Sequence, residues 1–188
     1  MTPKVIKEET KYNGDFLDFK IIHWTDKNGN DSKWEAVNRA DNIGDVVSVI
    51  PILIPSMRYV VIRIFRPPVD GYVLTFPAGL VDNGESIQEA AIRELKEETG
   101  YIGEVIKTTP PTLSSAGMSN ETVSNVIAHI DENNLENKNP IQNLEVEEDI
   151  EVILVRQKDI PLFIKEEVQK GSVLSGRMTS YFLGKDLI

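Results

Sequence analysis

Short apolar segments separated by turn-forming residues predict several β-strands in the first part of the chain. Residues 16–24 and 33–37 have the composition of strands, and segment 26–31 between them, rich in Asp and Asn, predicts a turn. A piece of two or three strands is only marginally stable by itself. We therefore expect the residues up to about Ala40 to pack against the rest of the chain or against a second copy of it.

The following strands are more apolar and indicate a buried sheet. Residues 45–54 and 58–65 are rich in β-branched side chains, and the second of these segments is typical of a largely buried strand. Further strands are predicted at residues 72–76, 123–130 and 150–155.

Two segments predict helices. The first begins after Ser86, which forms a capping-box pattern with Glu89, and Gly100 suits the left-handed position that ends a helix. The second extends from about residue 160 to 170, and the asparagine-rich segment 132–139 predicts a loop. Because strands and helices interleave without a βαβ repeat, the sequence predicts an α+β fold with a mixed sheet rather than a doubly wound parallel sheet.

The first helix is expected to have two different sides. Ile92 and Leu95 can hold it on a sheet, whereas Ala90 and Ala91 lie one turn before Glu94 and leave space beside the carboxylates.

Glutamates crowd the end of this helix. Glu94 and Glu98 are neighbours one turn apart, and Glu97 borders them. Carboxylates so close together repel one another unless cations lie among them, and Arg93 can neutralise part of the charge. A ligand set made of oxygen atoms favours Mg²⁺ or Mn²⁺ over zinc or copper. The sequence therefore predicts a divalent-metal site, and the alternative is an ordinary solvent-exposed acidic face.

Composition and charge narrow the classes of function. The chain of 188 residues is 40% hydrophobic and 27% charged, as in a globular domain, and its net charge of −10 argues against broad nucleic-acid binding. The absence of cysteine excludes disulfides, and the presence of only His23 and His129 argues against a multi-histidine metal site. No segment has the pattern of a signal peptide or a membrane span. We expect a soluble cytoplasmic protein without a membrane partner, with the nucleus open as a second compartment.

The segment from Gly79 to Tyr101 resembles the Nudix box, G-x5-E-x7-R-E-U-x-E-E-x-G-U, in which U is a bulky apolar residue. Every defined position matches, although Tyr101 is aromatic rather than aliphatic. The resemblance implies an α/β/α sandwich with a mixed sheet that hydrolyses a nucleoside diphosphate linked to another moiety. It also implies that this domain comprises residues 43–188. Residues 1–42 are then expected to form a small N-terminal antiparallel β subdomain.

Roles for the box residues are implied by the same resemblance. Glu85 would pair with Arg93 and brace the loop, and both are counted with Glu97 among the catalytic residues. The implied ligands of Mg²⁺, or of Mn²⁺ in its place, are three carboxylates and one backbone carbonyl: Glu94, Glu97, Glu98 and Ala78.

Beyond the box, the chain resembles the ADP-ribose pyrophosphatase branch of this family at residues 33–39, 65–68, 76–80 and 117–120. The branch implies a nucleoside diphosphate sugar as substrate, with AMP and ribose 5-phosphate as the products from ADP-ribose. It also implies a homodimer in which the small N-terminal β piece exchanges across the interface. This agrees with the marginal stability of the N-terminal strands.

Five residues are implied as substrate contacts. Trp34 resembles the aromatic residue that stacks on adenine, and Phe16 lies where relatives have a second aromatic residue, often tryptophan. Arg39 and Arg66 resemble arginines that contact phosphate or ribose, to which a planar guanidinium is well suited. Met118 lies in the last matching segment. The alternatives are a core tryptophan at Trp34 and a surface charge at Arg66.

The catalytic base is implied to come from a loop after the box. Glu148 best matches that position, just before the strand predicted at 150–155. Glu145 and Glu147 are alternatives, and so is an ordinary acidic loop. The base would take a proton from the attacking water.

Two departures from the branch keep other functions under consideration. Ala116 stands where a proline is usual, and Phe16 stands where tryptophan is frequent. The second hypothesis is therefore the same chemistry on another nucleotide sugar or on a dinucleotide polyphosphate. The third is a catalytically silent Nudix fold that binds ADP-ribose, and the intact box glutamates argue against it.

Overall fold

The structure is a computed structural model that describes residues 1–40 and 45–188. The chain divides into two units, the first consisting of Met1–Val46 with Pro111–Val123 and the second of Val47–Pro110 with Ser124–Ile188. The boundary expected between residues 42 and 43 lies outside the described residues. The first unit thus combines the N-terminal residues with a segment that is distant from them in the sequence.

A three-stranded antiparallel sheet forms most of the first unit: β1 (Lys4–Asn13), β2 (Leu17–Thr25) and β3 (Asp31–Arg39), in that order. The two predicted strands are confirmed as β2 and β3. The carboxylate of Asp26 closes the turn between them, because it accepts hydrogen bonds from the N–H groups of Asn28 and Asn30 at 2.8 Å. The sequence pattern did not predict β1, whose many charged side chains are exposed.

The remaining strands of the described chain build a mixed sheet. They are β4 (Val46–Ile54), β5 (Arg58–Arg66), β6 (Gly71–Thr75), β7 (Ala78–Leu80), β8 (Glu104–Thr108), β9 (Thr112–Leu113), β10 (Thr122–Asp131), β11 (Ile150–Arg156) and β12 (Val173–Leu174). The hydrogen-bonded order is β12-β6-β5-β4-β10-β8, while β11 pairs with β5, β7 with β4 and β9 with β10. β12 is parallel to β6, and β5 is antiparallel to its neighbours, so the predicted mixed sheet is confirmed.

Helices pack on both faces of this sheet. They are α1 (Ile87–Thr99), α2 (Ile160–Gln169) and α3 (Gly176–Gly184), with short 3₁₀ helices at Pro67–Val69, Leu135–Lys138 and Gln157–Asp159. Val49 of β4 packs in a core cluster with α1, whereas its neighbour Ile50 packs in a second cluster with α2 and α3. Because successive strand residues point to opposite faces, the sheet is covered on both, which explains the continuous apolar runs. Within the described residues, no helix is long and apolar enough to cross a membrane.

One expectation about α1 is wrong. Ala90 and Ala91 are fully buried in the core cluster with Leu95, instead of leaving space beside the carboxylates. Ala91 and Leu95 are one turn apart and therefore share the side of the helix that meets the sheet. The predicted role of Leu95 is confirmed, whereas Ile92 is only half-buried.

Gly100 ends α1 as the sequence predicts. Its backbone is left-handed, with φ of 75°, and its N–H donates to the carbonyl of Lys96 at 2.8 Å. The chain returns so closely at Pro140 and Ile141 that a Cβ on Gly100 would lie 2.4 Å from the backbone nitrogen of Ile141. Glycine is therefore required both by the conformation and by the close approach of a second backbone segment.

We expect Gly100→Ala to lower the free energy of unfolding by more than about 2 kcal/mol, because a left-handed residue costs roughly 1–2 kcal/mol and backbone atoms must also move. Gly171→Ala is the matched control. Gly171 also has a left-handed φ, of 95°, but an added Cβ would meet nothing within 4 Å. Urea unfolding measures both variants, and equal losses would contradict a role for the close approach.

Candidate active site

Helix α1 begins at the predicted cap and carries three glutamates near its end. The side chain of Ser86 accepts a hydrogen bond from Glu89 N and the Glu89 carboxylate accepts one from Ser86 N, so the capping box is confirmed. Glu98 is 2% exposed and Glu94 is 9% exposed, whereas Glu97 is half-buried. Two of the three carboxylates are therefore removed from water, unlike those of an ordinary solvent-exposed acidic face.

The guanidinium of Arg93 binds three glutamates. Its Nε and Nη2 donate to the two oxygens of Glu85 at 3.0 Å, and its Nη1 donates to Glu94 at 2.7 Å and to Glu97 at 3.1 Å. Nη2 also donates to the backbone carbonyl of Leu80 at 2.8 Å. The bidentate contact with Glu85 ties the loop before α1 to the helix and holds the pKa of Glu85 below its ordinary value.

Gly79 lies directly against the carboxylate of Glu94. A Cβ at Gly79 would lie 2.0 Å from Oε1 of Glu94, so any larger residue would displace this side chain. Burial raises the pKa of Glu94, and the hydrogen bond from Arg93 opposes that effect. The first glycine of the box is therefore explained by the position of a glutamate fifteen residues later.

Glu98 has the most enclosed carboxylate of the site. Its Oε2 accepts a hydrogen bond from the backbone N–H of Ala78 at 2.9 Å. Burial raises its pKa to about 8, and the negative charges of Glu94 and Glu148 act in the same direction, whereas Ala78 N–H and the charge of Arg66 oppose them. Arg66 itself is exposed at the end of β5. Additional positive charge beside Glu98 would favour its ionised form.

The donor chemistry of these residues fits a hard divalent cation. The candidate ligands are carboxylate oxygens, and Glu98 is buried with two other negative charges close by. The described residues contain no group of three acidic or histidine side chains already arranged to hold a metal ion. Arg93 Nη1 is bound to Glu94 and Glu97, so a cation would compete with this guanidinium for their oxygens.

The structure distinguishes Glu148 from its two alternatives. Glu148 is half-buried, and its charge acts on both Glu94 and Glu98, whereas Glu145 and Glu147 are exposed. Its carboxylate accepts a hydrogen bond from Glu145 N at 3.0 Å, and its own N–H donates to Glu145 O at 3.1 Å. Glu148 is therefore the half-buried member of this acidic loop, and its charge acts on the buried box glutamates.

Trp34 lines a cavity within the first unit. The cavity has a volume of about 370 Å³, and its lining includes Trp24, Trp34 and Ala116. Trp34 Nε1 donates to the carbonyl of Gly117 at 2.9 Å, whereas the buried Nε1 of Trp24 has no hydrogen-bond partner among the described residues. The sequence reasoning missed Trp24. Its place depends on the β2–β3 register, in which Ile22 pairs with Trp34 and shares a face with Trp24 two residues later, and the sequence alone does not give this register.

The other predicted contacts of the first unit are not among the residues described as lining this cavity. Arg39 binds the carboxylate of Glu121 at 2.8 Å, and the unbroken register of β3 places it on the face opposite to Trp34. Phe16 is 73% exposed, and Met118 is exposed as well. The structure therefore does not place Phe16, Arg39 or Met118 in the lining of the cavity that Trp34 lines.

Comparison with known proteins agrees with this geometry. The NUDIX domain family matches residues 43–173. The chain is 36% identical over 162 residues to ADP-sugar pyrophosphatase of Mus musculus, covering 83% of this chain and 74% of that protein. It is 35% identical over 173 residues to ADP-ribose pyrophosphatase of Saccharomyces cerevisiae, covering 88% of this chain and 74% of that protein.

A solved structure shows the same fold. The crystal structure of an ADP compounds hydrolase matches with a TM-score of 0.64 at 21% identity, covering 91% of this chain and 96% of that chain. The helix-covered mixed sheet and the complete box at residues 79–101, the larger part of which forms α1, indicate an enzyme of the hydrolase class. The chain belongs to the NUDIX family and is a Nudix hydrolase.

We expect Arg93→Met to lower the free energy of unfolding by about 3 kcal/mol, because it leaves the buried carboxylate of Glu94 and the loop residue Glu85 without their cation. Arg156→Met is the control, since Arg156 is exposed at the end of β11 and surface substitutions usually stay within about 0.5 kcal/mol. Chemical denaturation without divalent metal measures both variants. Similar small losses would show that the Arg93 network does not stabilise the fold.

Proposed function

We propose that the chain hydrolyses the pyrophosphate bond of ADP-ribose and related ADP-sugars, and that ADP-ribose gives AMP and ribose 5-phosphate. The observation that carries the proposal is the buried pair Glu94 and Glu98, with Glu148 beside it. The substrate class is supported by the mouse and yeast relatives, which are named as ADP-sugar and ADP-ribose pyrophosphatases.

The proposal includes a divalent cation, Mg²⁺ or Mn²⁺. Glu94, Glu97 and Glu98 would hold it together with the carbonyl of Ala78. A bound divalent cation offsets charge on the diphosphate and makes a nearby water more acidic. The buried Glu98 supports this assignment, because a carboxylate removed from water needs compensating positive charge to stay ionised.

Glu148 is the proposed general base. It would accept the proton of the attacking water, whose oxygen forms a bond to phosphorus while the anhydride P–O bond breaks and the leaving phosphate takes the electron pair. Its half-buried position beside Glu94 and Glu98 supports the assignment, whereas Glu145 and Glu147 face solvent. Arg93 and Glu85 would hold the loop against the helix during this step.

The five residues implied as substrate contacts are part of the proposal. Trp34 would stack on adenine in the cavity that it lines together with Trp24. Arg66, whose charge acts on Glu98, would contact a phosphate. Arg39 would have to share its guanidinium with Glu121. Phe16 and Met118 are exposed, and contact with substrate or with a second chain would cover them.

A homodimer with residues 1–42 as its arm is also proposed. The sheet of β1, β2 and β3 exposes several apolar side chains, which supports burial against a second copy: Val5, Tyr12 and Leu17.

The second candidate function is the same chemistry on a different nucleotide sugar or a dinucleotide polyphosphate. Ala116 supports this second candidate, because the residue differs from the proline usual in the branch and lines the same cavity as Trp34.

Turnover on a substrate panel tests the proposal. With Mg²⁺ present, ADP-ribose should be hydrolysed faster than ADP-glucose, NADH or diadenosine polyphosphates in a phosphatase-coupled assay. Glu98→Gln should lower kcat roughly 100-fold or more, because it removes a charged ligand. Glu166→Gln, at an exposed position of α2, is the matched control and should retain wild-type turnover. Inactivity of the wild type on every substrate would refute the enzymatic assignment.

Metal binding has a readout that does not need turnover. Mg²⁺ should raise the unfolding temperature of the wild type and of Glu166→Gln, because a ligand that binds the folded state stabilises it. The rise should be much smaller in Glu98→Gln. An equal rise in all three proteins would remove Glu98 from the ligand set.

The base assignment is tested by neighbouring isosteric changes. Glu148→Gln should lower kcat by about 100-fold, since a general base contributes roughly 10²–10⁴ to the rate. Glu147→Gln should stay near wild type, because its side chain is exposed. The opposite pattern would move the role of base to Glu147.

A further inference from the structure

The segment that carries Glu148 is bound directly to the C-terminal end of α1. Asn143 N donates to the carbonyl of Glu97 at 2.9 Å, and Gln142 Nε2 donates to the carbonyl of Glu98 at 2.7 Å. These are backbone carbonyls of two box glutamates, in the last turn of the helix, where carbonyls have no partner within the helix. The base-carrying segment therefore takes its position from the same helix that carries the carboxylates.

The side chain of Gln142 also reaches the far end of this segment. The same Nε2 donates to the carbonyl of Ile150, the first residue of β11, at 3.2 Å. Gln142 is half-buried. One amide group therefore joins the entry of the acidic loop, its exit into the sheet, and the end of α1.

The exit of the loop has its own attachment beside Glu148. The carbonyl of Asp149 accepts a hydrogen bond from Phe65 N at 3.3 Å, and its carboxylate accepts one from the Tyr72 hydroxyl at 2.7 Å. Between the two ends, Glu148 and Glu145 bind each other through the turn described above. With Asp149 bound to β5 and β6, the other end of the loop is held by the contacts of Gln142 together with the hydrogen bond of Asn143 N.

We propose that Gln142 is a positioning residue that places the proposed base Glu148 against the glutamates of α1. The inference rests on the proposed function, because it assumes that Glu148 is the base. Gln142 acts through the loop backbone, which its amide ties to the carbonyls of Glu98 and Ile150. Loss of that amide leaves two carbonyls without this donor and weakens the attachment of the loop entry, to which the hydrogen bond from Asn143 N to Glu97 O still contributes. A shift of about 1 Å in a catalytic group can cost on the order of 100-fold in rate.

The test is Gln142→Leu, made in the wild type and again in the Glu148→Gln background. In the wild type it should lower kcat for ADP-ribose about 10- to 100-fold with KM unchanged, because substrate contacts are not altered. In the Glu148→Gln background it should cause no further loss, since no base is left to position. A merely structural role would lower activity by the same factor in both backgrounds.

Controls separate misplacement from unfolding. Gln142→Met keeps the unbranched shape without the donor and should repeat the kinetic result, and Gln169→Leu changes an exposed glutamine at the end of α2 and should have wild-type kinetics. Unfolding temperatures of all variants are measured, and assays are run below them.

The outcomes distinguish the role of Glu148 as base from the role of Gln142 as positioning residue. Wild-type kcat in Glu148→Gln would overturn the base assignment and this inference with it. A collapse of kcat in Glu148→Gln would leave the base assignment standing. In that case, wild-type kcat in both Gln142 variants, or equal losses in the two backgrounds, would overturn the role of Gln142 alone.

Discussion

The ion pairs of Arg93 are the constraint on which the rest of the site depends. One guanidinium holds Glu85 of the preceding loop together with Glu94 and Glu97 of α1. Carboxylates that are partly removed from water are unfavourable without a cation, so the loop and the helix can meet only with this arginine between them. The same arrangement keeps Glu94 against Gly79, and this places the backbone after Ala78 at the acidic side of the helix.

Glu98 is a carboxylate whose burial opposes the stability of the fold. Its carboxylate is nearly enclosed, and burial raises its pKa to about 8. The fold tolerates this group because Leu95 and the two alanines before it hold α1 on the sheet through a fully buried apolar contact. A buried carboxylate of this kind is suited to binding a cation, because the positive charge of the proposed metal ion would stabilise its ionised form.

Long-range contacts separate residues that look equivalent along the chain. Glu145, Glu147 and Glu148 lie in one acidic loop, yet Glu148 is the half-buried one whose charge reaches Glu94 and Glu98. The loop is held by Gln142 on the carbonyls of α1 and β11, contacts that join residues up to 44 positions apart. Trp24 is a similar case, because its place beside Trp34 depends on how β2 and β3 pair.

The sequence by itself determined the features whose causes lie within a few residues of one another. The capping box of α1, its end at Gly100 and the strands rich in β-branched residues follow from local backbone preferences, and the grouped glutamates are the basis of the proposed metal chemistry. The exposed strand β1, the burial of Ala90 and Ala91, and the approach of Ile141 to Gly100 were decided by tertiary structure. Burial and strand register arise when distant elements pack, so a local pattern cannot encode which glutamates are enclosed or which face carries Trp34.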